Sequence, residues 1–373
     1  MLSGKLHLSL LIGAAVPIPA PRAIVEALSS VEVKESTSGA SGFQLTFNFG
    51  KRRELSDLML LIGGIGPLVR CILISTVNGT PYVLMDGVIT HQQVSPQTGQ
   101  STLTLTGEDL SALMNQIDLT GIPYPGMPPS ARVALILAKY AILGVIPVVI
   151  PSIMIDVPIP TDRTPTHQGT DLQYIRQLAR EVGYVFYVDP GPEPGMSLAY
   201  WGPEVKIGPA QPALNVDMDA HTNVESLSFQ FDAQSRTLPV VFIQNQQTRA
   251  PIPIPIPDIT PLNPPLGAIA PPPTKFRLLR NTANLSPIRA VLRGVAEAAR
   301  SADLVTASGS LDVLRYGHVL RPRGLVGVRG AGVAFDGLYY VQSVTHSIKR
   351  GEYKQNFTLT RNALVSLTPQ VPV

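Results

Sequence analysis

Residues 336–361 read DGLYYVQSVTHSIKRGEYKQNFTLTR. Tyr353, Gln355, Phe357 and Leu359 alternate there with Lys354, Asn356, Thr358 and Thr360. Strand side chains point to opposite faces in turn, so this stretch predicts a strand with one face buried and one wet. Upstream, Tyr339 and Val341 fall in one phase, whereas Val344, His346 and Ile348 fall in the other. A phase change inside one run predicts a bulge near Gln342. Residues 349–352 supply the turn of the hairpin.

A second copy of the pattern lies near residue 90. Asp86-Gly87, Thr90-His91 and Leu103-Thr104-Leu105-Thr106 match Asp336-Gly337, Thr345-His346 and Phe357-Thr358-Leu359-Thr360. Two such sheets predict a duplicated barrel or sandwich. Two independent hairpins are the alternative, because the distance from Asp-Gly to Thr-His differs between the copies.

Working outward, residues 1–115 read as the first β unit. Phe43, Leu45, Phe47 and Phe49 share one face, and Asn78-Gly79 between two β-runs is a strong hairpin signal. Residues 116–215 change character and predict an inserted α/β domain. Ser130 is placed to cap a helix running to about residue 143. Thr170-Asp-Leu-Gln173 has the form of a capping box, with Leu172, Ile175, Leu178 and Val182 on one face and Gly183 as the stop. Residues 216–245 begin the second β unit. Residues 246–304 form a Pro-rich excursion and a helix packing on the inserted domain, with residues 251–273 extended and Ser286-Pro287 opening the helix. Residues 305–373 complete the second β unit and the tail. The fold class is therefore mainly β with an α+β insertion: two antiparallel barrels plus a small α/β domain.

Hydrophobic residues make up 45% of the 373 and charged residues 15%, a low charge density for a free monomer surface. Much surface is expected to be covered by partners. Residues 140–155 are too short and too proline-broken to span a bilayer, so no membrane insertion is expected. Lys5 followed by residues 6–16 imitates a signal peptide, but His7 and Ser9 interrupt it and a first strand is the better reading. Cys71 is the single cysteine, which excludes an intrachain disulfide and suits a reducing cytoplasm. Net charge is +3, yet residues 151–274 hold 6 Lys/Arg against 12 Asp/Glu and residues 275–373 hold 14 against 5. Such asymmetry favours complementary docking over nucleic-acid binding, since the basic residues lack aromatic interleaving.

Few side chains carry chemistry. Asp217, Asp219 and His221 would share one face of an extended strand, where a cation could bind, although a solvated strand edge is the simpler reading. Gly63-Gly64-Ile65-Gly66 and residues 327–332 lack the spacing of a phosphate loop. His91 and His346 read as packed or hydrogen-bonded sheet residues rather than a catalytic base, and Trp201 is the one strong sugar platform. No Ser-His-Asp, Cys-His or paired-carboxylate grouping is discernible. The expectation is a non-enzyme with no cofactor and no metal.

The segment Gly337-Leu-Tyr-Tyr-Val-Gln-Ser-Val-Thr-His346, continued by Gly351-Glu-Tyr-Lys-Gln-Asn-Phe-Thr-Leu-Thr-Arg361, resembles the C-terminal signature of the late control protein D family. That family includes baseplate hub proteins of contractile phage tails and phage-tail-like injection systems. Ser41-Gly-Phe-Gln-Leu-Thr-Phe47, Leu84-Met-Asp-Gly-Val-Ile-Thr90, Thr106-Gly-Glu-Asp-Leu-Ser111, Thr170-Asp-Leu-Gln-Tyr174 and Gly183-Tyr-Val-Phe-Tyr187 are similar to it in the same order. The resemblance implies a structural hub, a homotrimer whose two tube-like barrels per subunit make six around a central channel. It would join a hexameric inner tube to a separate trimeric spike. Its partners would be itself, spike, tube, other baseplate components and translocated effector cargo, after assembly in the cytoplasm into a tail particle. A peptidoglycan- or carbohydrate-binding tail module and a tail-associated hydrolase are the alternatives. Because the hairpin carries apolar residues in both phases, Tyr339, Tyr340, Lys354 and Asn356 are the candidate interface with a neighbouring subunit or the tube.

Overall fold

The computed structural model describes residues 6–14, 16–37, 39–49, 69–96, 101–152, 164–232, 234–244, 251–256, 264–269, 271–273, 275–279 and 287–367. The glycine loop at 63–66, the Ser286 cap and parts of the 251–273 stretch lie outside the described residues. In chain order the elements are β1 (Leu6–Gly13), β2 (Ile18–Pro19), α1 (Arg22–Ala27), β3 (Leu28–Ser36), β4 (Gly42–Phe49), β5 (Arg70–Val77), β6 (Thr80–Pro96) and β7 (Ser101–Asp109). Then come α2 (Pro129–Ala138), β8 (Val145–Val149), α3 (Asp171–Val182), β9 (Val185–Pro190), β10 (Ser197–Gly202) and β11 (Ala210–Asn215). The chain continues through β12 (Ser226–Phe231), β13 (Thr237–Gln244), β14 (Pro251–Pro255), β15 (Lys275–Leu278) and α4 (Pro287–Arg300). It ends with β16 (Val305–Asp312), α5 (Val313–Tyr316), β17 (Leu325–Arg329), β18 (Gly337–Lys349) and β19 (Glu352–Arg361).

The main sheet runs β12-β16-β19-β18-β3-β4-β7-β6-β5-β1-β2, with β17 also on β18 and β11 on β17. It divides into two halves of one strand order: β3-β4-β7-β6-β5-β1 and β12-β16-β19-β18-β17-β11. The duplication read in the sequence is thus present in the topology. The halves differ at their last strand, since β1 is antiparallel to β5 whereas β11 is parallel to β17.

The halves share a bulge at the same place, between Ile89 and His91 in β6 and between Val341 and Ser343 in β18. Aligning the halves on these bulges matches Thr90 with Gln342, Val94 with His346 and Leu105 with Phe357. The motif match by sequence, Thr-His on Thr-His and Leu103 on Phe357, is therefore out of register. Leu103 on Phe357 is a slip of two, which keeps every side chain on its face and escapes detection by alternation, whereas Thr-His on Thr-His is a slip of three, which reverses the face. The bulge at Gln342 was legible; its twin at Thr90 sets the frame.

Apolar residues of both halves form one core, including Phe43, Leu45, Phe47, Leu103 and Leu105 in the first and Val305, Tyr353, Phe357 and Leu359 in the second. Asn78 and Gly79 turn β5 into β6 at φ 49° and 84°, as an Asn-Gly hairpin requires. The insertion has its own core around Trp201 and Ile175, with the three-stranded sheet β8-β10-β9. Thr170 and Gln173 make the predicted reciprocal cap of α3, and Gly183 ends it at φ 76°. Helix α2 starts at Pro129 and stops at Ala138, earlier than the sequence suggested, and Ser130 lies inside it.

Two assignments move. Strand β11 (Ala210–Asn215), read as part of the insertion, joins β17 in the main sheet. Strand β13 (Thr237–Gln244), read as part of the second β unit, instead pairs β14 and β15 in a separate three-stranded sheet. Prolines of β14 sit on an outer strand, where a missing N–H is tolerated. Helix α4 covers this small sheet through Ala290, Val291, Val295 and Ala298, and its Ala296 lies against Gly183 at the end of α3. None of the described helices is long and apolar enough to cross a membrane.

Gly87 shows how tightly β6 and β7 approach, because a Cβ there would lie 2.1 Å from the Glu108 carbonyl oxygen. Backbone atoms of a central strand pair cannot yield cheaply. Gly87→Ala is expected to cost about 2–3 kcal/mol, read as a lower urea midpoint.

Candidate assembly interface

The halves meet where β18 pairs with β3, from Ser343 opposite Ser36 to Lys349 opposite Ser30. On the buried face Val344, His346 and Ile348 lie opposite Glu35, Val33 and Val31. The wet face carries Ser343, Thr345 and Ser347 opposite Ser36, Lys34 and Glu32. Half-buried and exposed positions on this face continue in β19 with Lys354, Asn356 and Thr358.

A polar junction is buried behind the seam. His346 Nδ1 lies 2.8 Å from the Tyr353 hydroxyl, and its Nε2 is 3.8 Å from Glu35 Oε1. Burial pushes the Glu35 carboxyl from its ordinary 4.5 up to about 8, reinforced by Asp189 and opposed by Arg321 and Arg323. Burial lowers His346 from 6.5 to about 3. At neutral pH both groups are therefore uncharged, and their contact is a neutral one. Arg323 ties the halves to the insertion: it donates to Asp189 at 2.7 Å and to the Ser36 carbonyl at 2.7 Å, and its guanidinium stacks 4.0 Å from the Tyr187 ring. Arg321 lies 5.6 Å from the Tyr82 ring, contributing another cation–π contact between the halves.

Among the described residues the same strand order leaves two edges open. There β12, the counterpart of β3, pairs only with β16. β6 beyond its bulge, the counterpart of β18 at the seam, pairs there only with β7. Burial follows the pairing. Val31 and Val33 are 1% and 0% exposed, whereas their counterparts Leu227 and Phe229 are half-buried and Phe231 is 39% exposed. His346 is 1% exposed and its counterpart Val94 is 36%.

Of the residues singled out by sequence, Tyr339 and Tyr340 lie inside the chain, at 0% and 3% exposure. The Tyr339 hydroxyl donates to the Phe335 carbonyl at 2.7 Å, and Arg361 lies 5.2 Å from its ring. Tyr340 packs with Leu266, Leu325 and Leu338, and Lys206 Nζ lies 5.2 Å from its ring. Burial, with the Glu204 carboxylate beside it, raises the Tyr340 phenol. The apolar residues of both phases are thus covered by the chain's own distant segments, which corrects the reading of both tyrosines as rim residues. Lys354 is half-exposed and held by Glu225 at 3.0 Å and Glu352 at 3.2 Å, and Asn356 is exposed beside it.

Asp217 and Asp219 take left-handed φ of 47° and 48°, and residues 219–221 form a short 3₁₀ turn. That geometry removes the common strand face that a cation would need. Among the described residues no group of three or more His, Cys, Asp and Glu is arranged to hold a metal ion. Trp201 is 0% exposed, edge-on to Tyr184, and cannot act as a sugar platform. Cys71 is buried, and burial raises its thiol. His91 is exposed beside Thr90.

Sequence reading missed a buried cluster in the insertion. The Tyr124 hydroxyl is 3.0 Å from His167 Nδ1, His167 Nε2 is 3.6 Å from Asp171 Oδ1, and Tyr140 donates to Asp171 Oδ2 at 2.7 Å. Arg132 donates to the Tyr174 hydroxyl at 2.7 Å. His167 is 0% exposed and its basicity is lowered by burial, so the cluster fastens residues 118–124 to α3 rather than meeting a substrate. Its members are spread from residue 124 to 174, and no local motif marks them.

No family model matches the chain, and no curated protein matches it. Solved structures do. The tail protein from Neisseria meningitidis MC58 aligns with TM-score 0.62 at 15% identity, covering 95% of this chain and 97% of that one. The 43 kDa tail protein of prophage MuSo2 from Shewanella oneidensis aligns with TM-score 0.60 at 14% identity, covering 95% and 98%. An E. coli component of the type VI secretion system, itself similar in structure to T4 bacteriophage tail proteins, aligns with TM-score 0.56 at 12% identity, covering 99% and 79%. The chain has the fold of these tail and secretion-system proteins.

The Glu35 carboxyl gives the junction a signed pH dependence. Its folded value lies above its unfolded one, so its contribution is full below about 4.5 and is lost as pH rises through about 8. His346 acts oppositely, its contribution being lost as pH falls from 6.5 towards 3. Glu35→Gln is expected to flatten the loss of stability between pH 5 and 9, with the gap over wild type widening as pH rises. Urea midpoints across that range measure it, and a gap independent of pH would refute the assignment.

Proposed function

We propose that this chain is the structural baseplate hub of a contractile tail or injection system. It acts as a homotrimeric adapter between a hexameric inner tube and a separate trimeric spike, around a central channel. The observation that carries the reading is the pair of halves with one strand order, joined edge to edge in one sheet. Three copies of such a chain offer six equivalent sheet units to a sixfold ring and three to a threefold spike. The shared fold with tail proteins and the low charge density support it. In this reading, tube, spike, other baseplate components and passing effector cargo are its partners. Assembly takes place in the cytoplasm before the chain becomes part of the particle. The half-exposed Lys354 and the exposed Asn356 stay with the wall that meets tube or neighbour.

The carbohydrate-binding alternative loses its support with the burial of Trp201. The role proposed is not enzymatic, and purified protein is expected to leave peptidoglycan, glycosides and nucleotides intact. Turnover abolished by a change at His91, His221 or His346 would contradict that role. Native mass spectrometry of the full chain with tube and spike proteins is expected to give three copies per complex. A chain that stays monomeric in the presence of both would end the adapter reading.

A further inference from the structure

A separate stretch of unpaired strand lies inside the first half. Strand β1 pairs β5 along its whole length, but on its other side it meets β2 only at Leu11 and Ile12. The Ala20 N–H donates to the Leu10 carbonyl at 2.8 Å, so Leu10 turns its backbone groups to that side. Alternate residues of a strand present N–H and C=O to the same edge, and Leu8 therefore does so too. Among the described residues no strand pairs with Leu8 there.

This edge borders a cavity of about 540 Å³ lined by β1, α1, β3 and the β18–β19 turn. Leu10, Leu28, Val31 and Ile348 make its apolar floor, each 8% exposed or less. Charge gathers at its exposed rim, where His7, Arg22, Lys349 and Arg350 surround the single acid Glu26. The Glu26 carboxylate is already paired with Arg22 at 2.7 Å. Among the described residues Lys349 and Arg350 meet no carboxylate, and Arg350 donates instead to the Glu26 carbonyl.

The second half fills the matching place with its own chain. Asn223 donates from Nδ2 to the Ala213 carbonyl at 2.9 Å and accepts from the Asn215 N–H at 2.7 Å, so its amide completes the free edge of β11. Val224 follows into the core at 4% exposure. The first half has α1 at this point of the chain and keeps a cleft where the second has a filled edge.

We propose that the cleft takes an extended segment of another protein, added as a strand to β1. Its apolar residues lie on the floor, and its acidic residues meet Lys349 and Arg350. Residues 6–10 allow a segment of about five residues, some 17 Å at about 3.4 Å each. Strand addition supplies the affinity, and the alternate pockets and charged rim supply the preference. A second copy presenting the same cleft would bring like charges together.

The test uses an alternating valine–glutamate heptapeptide labelled with fluorescein, and the full chain. Saturable binding by fluorescence anisotropy is expected, with hydrogen exchange of residues 6–10 slowed on binding. Lys349→Glu combined with Arg350→Glu should weaken it about tenfold or more and favour the valine–lysine peptide instead. Both side chains are exposed, so the fold is kept, which circular dichroism checks. N-methylation of alternate residues blocks one edge of a peptide strand. Of the two possible alternate sets, one should abolish binding and the other should leave it. Equal binding by both methylated peptides would overturn the proposal, since backbone pairing would then play no part. So would protection at residues 226–231 or 89–96 in place of 6–10, or an absence of binding. Displacement of the peptide by laurate with no slowing of exchange in β1 would assign the cavity to an amphiphile and sink the strand.

Discussion

Seven residues of β18 lie opposite seven of β3, and this antiparallel seam makes one sheet of two. Everything else in the chain arranges itself around that pairing. Without it, the two halves would be tethered units free to sit at any angle. With it, their strands share one plane of hydrogen bonds and one apolar core. Arg323 then reaches from the second half to the Ser36 carbonyl of the first and to Asp189 of the insertion, so three regions are fixed by one guanidinium. Because a guanidinium cannot lose its charge and donates in a planar fork, it holds two acceptors in a set direction.

The seam is also an unusual place for ionisable groups. Strand pairing needs only backbone, and an apolar pair opposite Val33 and Val344 would pack as well. Instead Glu35 and His346 are buried there in neutral form. Burying polar side chains rarely adds stability over well-packed apolar ones, but it penalises arrangements that leave them unsatisfied. The insertion's Tyr124, His167 and Asp171 follow the same logic. They bind a loop of irregular backbone to α3 with directional contacts that Leu and Val could not make.

How much of this was legible in the sequence divides by the range of the interactions. Alternation in residues 353–360 and the capping box at Thr170 are local, and both elements fold as they read. The bulge at Gln342 was visible because it reverses a phase. Register between the halves was not, since the period-two pattern at Leu103 tolerates a slip of two and the Thr-His pair is too short to show a slip of three. Tyr340 looked surplus to the core because its cover, Lys206 and Leu266, comes from segments far away in sequence. Strand β13 has the apolar content of a barrel strand, and only its partners, the proline strand β14 and β15, assign it to another sheet. The aspartates at 217 and 219 alternate with other residues as a strand would, yet left-handed backbone turns them apart.

The halves carry different residues at one matched place: Glu35 in β3 and Phe231 in β12. Newly made chains at high concentration face a sorting problem, because β18 could in principle capture a stranger's β12 as readily as its own β3. Opposite β18, Phe231 cannot offer His346 the carboxyl that Glu35 brings within 3.8 Å. A chain that chose wrongly would lose that contact. Each wrong choice also leaves a free β3 to recruit another molecule, and such errors propagate into open fibres instead of closed particles. The Glu35 carboxyl beside His346 is thus a feature of the joint that β12 does not carry.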